Sequence, residues 1–178
     1  MGGSLLLISG PPGAGKSTVA ALLAASFDPS VLVRGDDFFG FLSTGSIDPW
    51  LPASAAQNKV VTEAAAAATS RFVTAGYDTV YDGVVGPWLI DWFLDVAQLQ
   101  AINYAVLLPS LDRCLDRVRT RTGHGFTDAG ATDKMHHEFS VATIDERHVF
   151  ANDDDSPEET ASNILSLAAA GELRYAAP

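Results

Sequence analysis

Apolar and polar positions alternate along this chain in two rhythms. Short, nearly continuous apolar runs fall at 4–9, 31–34, 79–85, 102–108 and 149–150, with longer stretches of helical spacing between them. Runs of that length, bounded by turn residues, predict buried strands. The first leads into a helical pattern over 16–26, closed by the turn Asp28-Pro29. The second stops at Gly35, Asp36 and Asp37. A long helix is predicted from about Ser54. Val61, Ala65, Ala68 and Phe72 recur at steps of four, three and four, which aligns them on one face, and Gly76 is the expected stop. Residues 87–99 predict another helix, and Pro109-Ser110 opens the next one after the fourth strand. Ser156, Pro157 and Glu159 supply an N-cap, a proline at the first helical position and a capping-box glutamate, so a final helix is predicted to about Ala170.

Strands that alternate with helices predict an α/β chain with a parallel sheet covered on both faces. Ligands in such sheets bind beyond the carboxyl ends of the strands. That rule selects the loop after the first strand, residues 35–39 after the second and residues 82–86 after the third.

Composition narrows the classes. The chain has 178 residues, which suits one domain with a sizeable core, and 47% hydrophobic residues argue against disorder. The formal net charge of −11 argues against long nucleic acid or a membrane surface as partner, since phosphate backbones demand clustered Lys and Arg. It leaves room for a small anion held by a few local cations. Cys114 is the single cysteine, so no internal disulfide forms, which fits a reducing cytosol. The run at 5–8 is too short for a signal core or a spanning helix. These features predict a soluble, cytoplasmic chain. They leave its oligomeric state open.

The densest chemistry lies at Gly10-Pro11-Pro12-Gly13-Ala14-Gly15-Lys16-Ser17-Thr18, which fits G-x-x-x-x-G-K-[ST] without a mismatch between a predicted strand and a predicted helix. The glycines permit backbone dihedrals closed to other residues, so successive N–H groups turn inward toward phosphate oxygens. The helix that follows adds the positive end of its dipole. Lys16 reaches the terminal phosphates and Ser17 is placed to ligate Mg²⁺. The stretch predicts binding of ATP with Mg²⁺.

Phosphoryl transfer to a hydroxyl needs a base or an orienting acceptor beside the nucleophilic oxygen. Asp36 is the first candidate, with Asp37 assisting a magnesium-bound water or capping the next turn. Asp82, in Val80-Tyr81-Asp82-Gly83, is a candidate for holding a magnesium-bound water or a substrate hydroxyl. Arg113, Arg117 and Arg121 are spaced by fours and share a helix face, while Arg119 points elsewhere. Arg113 reads as a solvated partner of Asp112 and Asp116. Arg117 and Arg121 lead into the glycine-rich Thr122-Gly123-His124-Gly125, and a lid is expected over about 119–138. Arg121 is then the candidate for stabilising charge on the transferred group. Phe38, Phe39, Trp50, Trp88 and Trp92 flank the expected acceptor cleft, and Phe38 and Trp88 are candidates to touch the acceptor. His136 and His137 are adjacent and cannot share a helix face for a metal. Asp153, Asp154 and Asp155 lack the spacing of a calcium loop.

Together these residues resemble the small P-loop kinases of hydroxylated metabolites. Gly10–Thr18 with Gly35-Asp36-Asp37-Phe38-Phe39 is similar to polynucleotide kinase ends, zeta toxins and chloramphenicol phosphotransferases. Ile47-Asp48-Pro49-Trp50-Leu51 and the stretch from Arg119 to Phe139 are similar to gluconate kinases. The resemblance implies a P-loop NTPase fold with a five-stranded parallel sheet in the order 2-3-1-4-5 and a small lid. It also implies Asp36 at the base position, Arg117 near adenine and Arg121 in the lid. A GTPase carries N-K-x-D and an ABC ATPase a serine-glycine signature; neither is present. The expectation is therefore an ATP-dependent phosphotransferase acting on a small-molecule hydroxyl. The alternatives are a nucleoside, nucleotide or sugar-acid kinase, and a nucleotide-binding switch without transfer.

Overall fold

A computed structural model describes residues 3–120 and 127–177. The elements in chain order are β1 (Leu5–Ser9), α1 (Lys16–Ala24), β2 (Ser30–Arg34), α2 (Ala55–Thr74), β3 (Asp78–Asp82) and α3 (Ile90–Ala97). Then come β4 (Ala101–Leu107), α4 (Leu111–Thr120), α5 (Ala129–Val141), β5 (Val149–Phe150), α6 (Pro157–Ala169) and β6 (Arg174–Ala176). The parallel strands lie in the order β2-β3-β1-β4-β5, and β6 runs antiparallel along β4. The order is therefore the one the resemblance implies, with one added strand. The β6 segment is short and mixed in polarity, which is why no apolar run announces it. It pairs the amino-terminal half of β4 at Ala101, Ile102 and Asn103, while β5 pairs the carboxyl-terminal half at Val106 and Leu107.

The central strands are buried on both faces, and their alternation decides which helices they meet. Leu5 and Leu7 of β1 join a core with Phe93, Leu94 and Ala65 of α3 and α2. Leu6 and Ile8 point the other way, to Val19 and Leu23 of α1 and Ile164 of α6. A period of two along one strand thus fills two separate cores. Ser156 and Glu159 form the expected capping box at α6: the Glu159 N–H donates to the Ser156 hydroxyl at 3.2 Å, and the Ser156 N–H to the Glu159 carboxylate at 2.8 Å.

Two expectations need correction. The buried face of α2 runs through Val61, Ala65, Thr69 and Val73, not through Phe72, which is 40% exposed. Phe72 serves the helix end instead. The Tyr77 N–H donates to its carbonyl at 3.1 Å, Gly76 donates to Val73, and the Phe72 and Tyr77 rings meet edge to face. That is a Schellman stop with its hydrophobic contact. The third strand ends at Asp82, because Gly83 begins a turn. Residues 35–41, which follow the second strand with no helical spacing to announce them, form a 3-10 helix. No described helix is long and apolar enough to cross a membrane.

Candidate active site

The loop between β1 and α1 folds back over the carboxyl ends of β1 and β4. Gly10, Gly13 and Gly15 have φ of 138°, 80° and 97°. A side chain at Gly10 would run into the Leu107 carbonyl, and one at Gly13 into the Cys114 carbonyl. Both glycines are thus required by conformation and by space. Ala14 is fully buried beneath the loop. The Lys16 ammonium donates to the Pro11 carbonyl at 3.0 Å, across the mouth of the loop.

Two groups hold this loop from the side of β5. Arg117 donates from Nη1 to the carbonyls of Ala14, at 3.2 Å, and Gly13, at 3.4 Å. Its Nη2 donates to the Asn152 carbonyl at 3.4 Å. Asn152 is 4% exposed and donates from Nδ2 to Ala14 at 3.1 Å, while its Oδ1 has no partner among the described residues. Asn152 was missed in the sequence, although it lies just past the fifth strand, where the strand-end rule already directs attention. Arg113 takes neither Asp112 nor Asp116 as its hydrogen-bond partner. It donates to the Asp153 carbonyl at 2.7 and 3.1 Å. The Asp153 carboxylate in turn accepts from Ser110, and those bonds pull its pKa down.

Asp82 ends β3 directly beside β1 and is 7% exposed. Burial pushes its carboxyl up, while the Lys16 charge and a hydrogen bond from Ser17 pull it back. Asp36 lies close enough to raise it as well. Ser17, Lys16, Asp82 and Asp36 are therefore brought together, from three chain segments. Beneath them Tyr81 is buried at 3% exposure, and its hydroxyl fills the space that a side chain at Gly35 would need.

A cavity of about 860 Å³ joins Lys16, Ser17 and Asp36 to a second wall, and Asp82 lies beside its lining residues Tyr81 and Gly83 without lining it. Pro12, Gly13, Gly15, Lys16, Ser17 and Thr18 form one end with Arg117 and Asn152. Asp36, Phe39, Trp50, Trp88, Leu89 and Met135 are among the residues of the other. Trp88 is thus where the sequence suggested. Asp37 and Phe38 do not line the cavity: Asp37 is exposed, and Phe38 packs against the core and meets Phe41 edge to face at 5.4 Å. The 3-10 turn is the physical reason: successive residues point about 120° apart, so Asp36 and Phe39, three apart, share the cleft side and Asp37 and Phe38 point away. Arg121, and residues 121–126 of the expected lid, lie outside the described residues. The rest of that stretch includes α5, whose Met135 and Glu138 reach the cavity. His136 hydrogen-bonds the Pro109 carbonyl at 2.8 Å and is not part of the site.

The residues present fit a magnesium-bound triphosphate. Ser17 and Asp82 offer hard oxygen donors beside a loop whose glycines let its backbone pack closely on Leu107 and Cys114. Among the described residues no group of three or more His, Cys, Asp or Glu forms a metal cage. Mg²⁺ needs none, since it binds through one or two protein groups, substrate phosphates and water.

A family model described as an AAA domain matches residues 5–142, and the chain belongs to that family of P-loop nucleotide-binding domains. The fold is also that of several solved kinase-like structures. A sugar kinase from Janibacter sp. HTCC2649 superposes with a TM-score of 0.71 at 16% identity, covering 94% of this chain and 95% of that one. The tunicamycin resistance protein of Deinococcus radiodurans gives a TM-score of 0.65 at 17% identity, covering 99% of both chains. A gluconokinase from Sinorhizobium meliloti 1021 gives 0.58 at 19% identity, covering 96% and 91%. A search of curated protein sequences returns no match.

Proposed function

We propose that this protein is an ATP-dependent phosphotransferase that moves the γ-phosphate to a hydroxyl of a small molecule. One observation carries the proposal: a single cavity runs from the phosphate loop, past Asp36, to an aromatic wall. A switch or motor has no use for a walled acceptor space next to its phosphate site. The net charge of −11 stands against a long nucleic acid as the acceptor.

Backbone N–H groups of residues 13–18 grip the β- and γ-phosphates, and Arg117 and Asn152 border the nucleotide end. Ser17 and Asp82 would hold Mg²⁺, which when bound would supply positive charge to the phosphate oxygens. Asp36 accepts the hydroxyl proton as the acceptor oxygen bonds to the γ-phosphorus. The bond from that phosphorus to the β-γ bridging oxygen breaks, and ADP leaves with the electron pair. Lys16 swings from the Pro11 carbonyl to the phosphates and offsets the charge that builds there.

Asp36→Asn tests this assignment. Affinity for a non-hydrolysable ATP analogue is expected to stay within a few-fold, while acceptor-dependent ADP release falls about 10²–10⁴-fold, the range for loss of a general base. Asp37→Asn, at an exposed position off the cavity, is expected to change either quantity little. Transfer that survives Asp36→Asn rules Asp36 out as the base.

A further inference from the structure

The charge and shape of the acceptor wall narrow what it can hold. Of the described residues lining the cavity, the cations are Lys16 and Arg117, and both bond to carbonyls of the phosphate loop or its flank. The acceptor side carries Asp36 and Glu138 instead. Lys134 reaches Glu138 at 4.0 Å from one turn away, but this is an exposed pair and Lys134 does not line the cavity. Lys59 lies over the Trp92 ring at 5.9 Å, also off the cavity. Arg34 lies beside Asp82 in the sheet but does not line the cavity, so an anionic acceptor would sit between carboxylates and a triphosphate with no described cation lining its own space.

Shape gives a second, independent constraint. Trp50 and Trp88 are 37% and 46% exposed and line the same cavity. Trp88 rests on Phe139 at 5.0 Å between ring centroids and its six-membered ring also lies against Gly86, while nearly half of the residue stays exposed where it lines the cavity. Two half-covered indoles at one wall suit a flat apolar body. Asn58 on the same wall braces the segment that carries Trp50. Its Nδ2 donates to the Pro49 carbonyl at 2.7 Å and the Ser54 hydroxyl at 2.9 Å, which fixes the amide. Its Oδ1 is buried with no partner among the described residues, so it can only accept, from an O–H or N–H.

We infer that the acceptor is an alcohol with a flat apolar body and no anionic group, held between Trp50 and Trp88. The inference rests on the phosphotransfer proposal and names the substrate class of that same cavity. It sets this protein apart from kinases of sugar acids and of nucleotides.

The test is calorimetric, on the full chain with Mg²⁺ and a non-hydrolysable ATP analogue. The probes are 3-phenylpropane-1,2-diol and 3-phenyllactate, which share one skeleton and differ by a carboxylate, with glycerol as the body-free control. The diol is expected to bind, glycerol to show no heat, and phenyllactate to bind about 100-fold more weakly or not at all. Glu138→Lys should narrow the gap between diol and phenyllactate. Trp88→Ala, and separately Trp50→Ala, should weaken the diol about tenfold while the ATP analogue binds as before. Equal binding of diol and phenyllactate overturns the inference. So does diol binding that ignores both tryptophan changes, or no diol binding by a chain that still takes the ATP analogue. A diol that binds as expected yet gains no label from γ-labelled ATP overturns the phosphotransfer proposal instead, so the two failures are distinct.

Discussion

The two ends of the cavity are built on opposite principles. The phosphate end comes mainly from residues 12–18, contiguous in sequence, with Arg117 and Asn152 beside them, and its proposed working groups are backbone N–H donors plus one lysine. The acceptor end draws on the 3-10 helix after β2, the start of α2, the turn after β3 and the distant helix α5. Its working groups are side chains. A polyphosphate is the same in every ATP, so a fixed backbone cradle suffices for it. An acceptor is particular, and its selection is distributed over elements that carry no shared sequence signature. The first end should fail sharply when one residue is lost. The second should fail by degrees.

Lys16→Met is the harshest test of that contrast. Loss of its charge at the transferring phosphate is expected to lower acceptor-dependent ADP release about 10²–10³-fold, the scale for removing one transition-state donor. Affinity for the acceptor, measured calorimetrically, should hold within a few-fold. A parallel loss of acceptor binding would mean the two ends are not separate.

Asp82→Asn probes the seam between the ends. Asp82 has a folded pKa raised above its unfolded value, burial being the main cause. Sign follows from linkage: a raised carboxylate destabilises the native state at neutral pH, and the cost disappears as pH falls below the unfolded value, about 3.9. The neutral isostere should therefore melt at a higher temperature than the wild type at pH 7, with the difference shrinking on acidification. Activity should fall about 10–100-fold, as for a group that supports a metal site. A variant both less active and less stable would contradict this assignment of Asp82.

The same contrast explains what could be read from the amino-acid sequence. The phosphate loop was legible because each residue answers a local demand: glycines where φ is positive, a lysine and a hydroxyl at fixed offsets. Asp36 was legible from the strand-end rule. Asn58, Met135, Glu138 and Asn152 were not, because nothing local marks them; tertiary packing alone brings them to one cavity. Phe38 was assigned to the acceptor because it flanks the strand-end cleft in sequence, whereas the 3-10 helix turns it against the core. Phe72 shows the same limit. Its hydrophobicity fits the α2 stripe, yet the helix stop claims it.

Tyr104→Phe gives a smaller effect, on the acceptor side. The Tyr104 hydroxyl donates to the Val85 carbonyl at 2.8 Å, and the Val85 N–H donates to the Ser9 hydroxyl at 3.0 Å. These bonds fix the turn that carries Trp88. Losing one leaves a buried carbonyl unpaired, which costs about 1–3 kcal/mol. Thermal unfolding should shift down accordingly and the acceptor KM should rise a few-fold. Affinity for the ATP analogue should fall less than acceptor affinity, because the phosphate loop meets these bonds only through Ser9 at its start.

The mildest test is acid, acting through His148. This residue is 2% exposed between the rings of Tyr104 and Tyr175. Its Nδ1–H donates to the Tyr104 carbonyl at 2.9 Å, which leaves Nε2 buried with no partner among the described residues. A proton taken up at Nε2 would have no acceptor. Burial accordingly lowers the His148 pKa below the ordinary histidine value, against the opposing effect of the Tyr104 bond. Above pH of about 6.5 neither the folded nor the unfolded chain protonates it, and it contributes no slope. As pH falls below that value the unfolded chain takes the proton and the folded chain refuses it, so stability declines until the lowered folded pKa is passed. Because His148 packs against the strand that braces the acceptor turn, the decline should reach acceptor KM before ATP-analogue affinity. His148→Phe should flatten the pH dependence of the melting temperature below about 6.5. An unchanged slope in that variant would place the acid-sensitive group elsewhere.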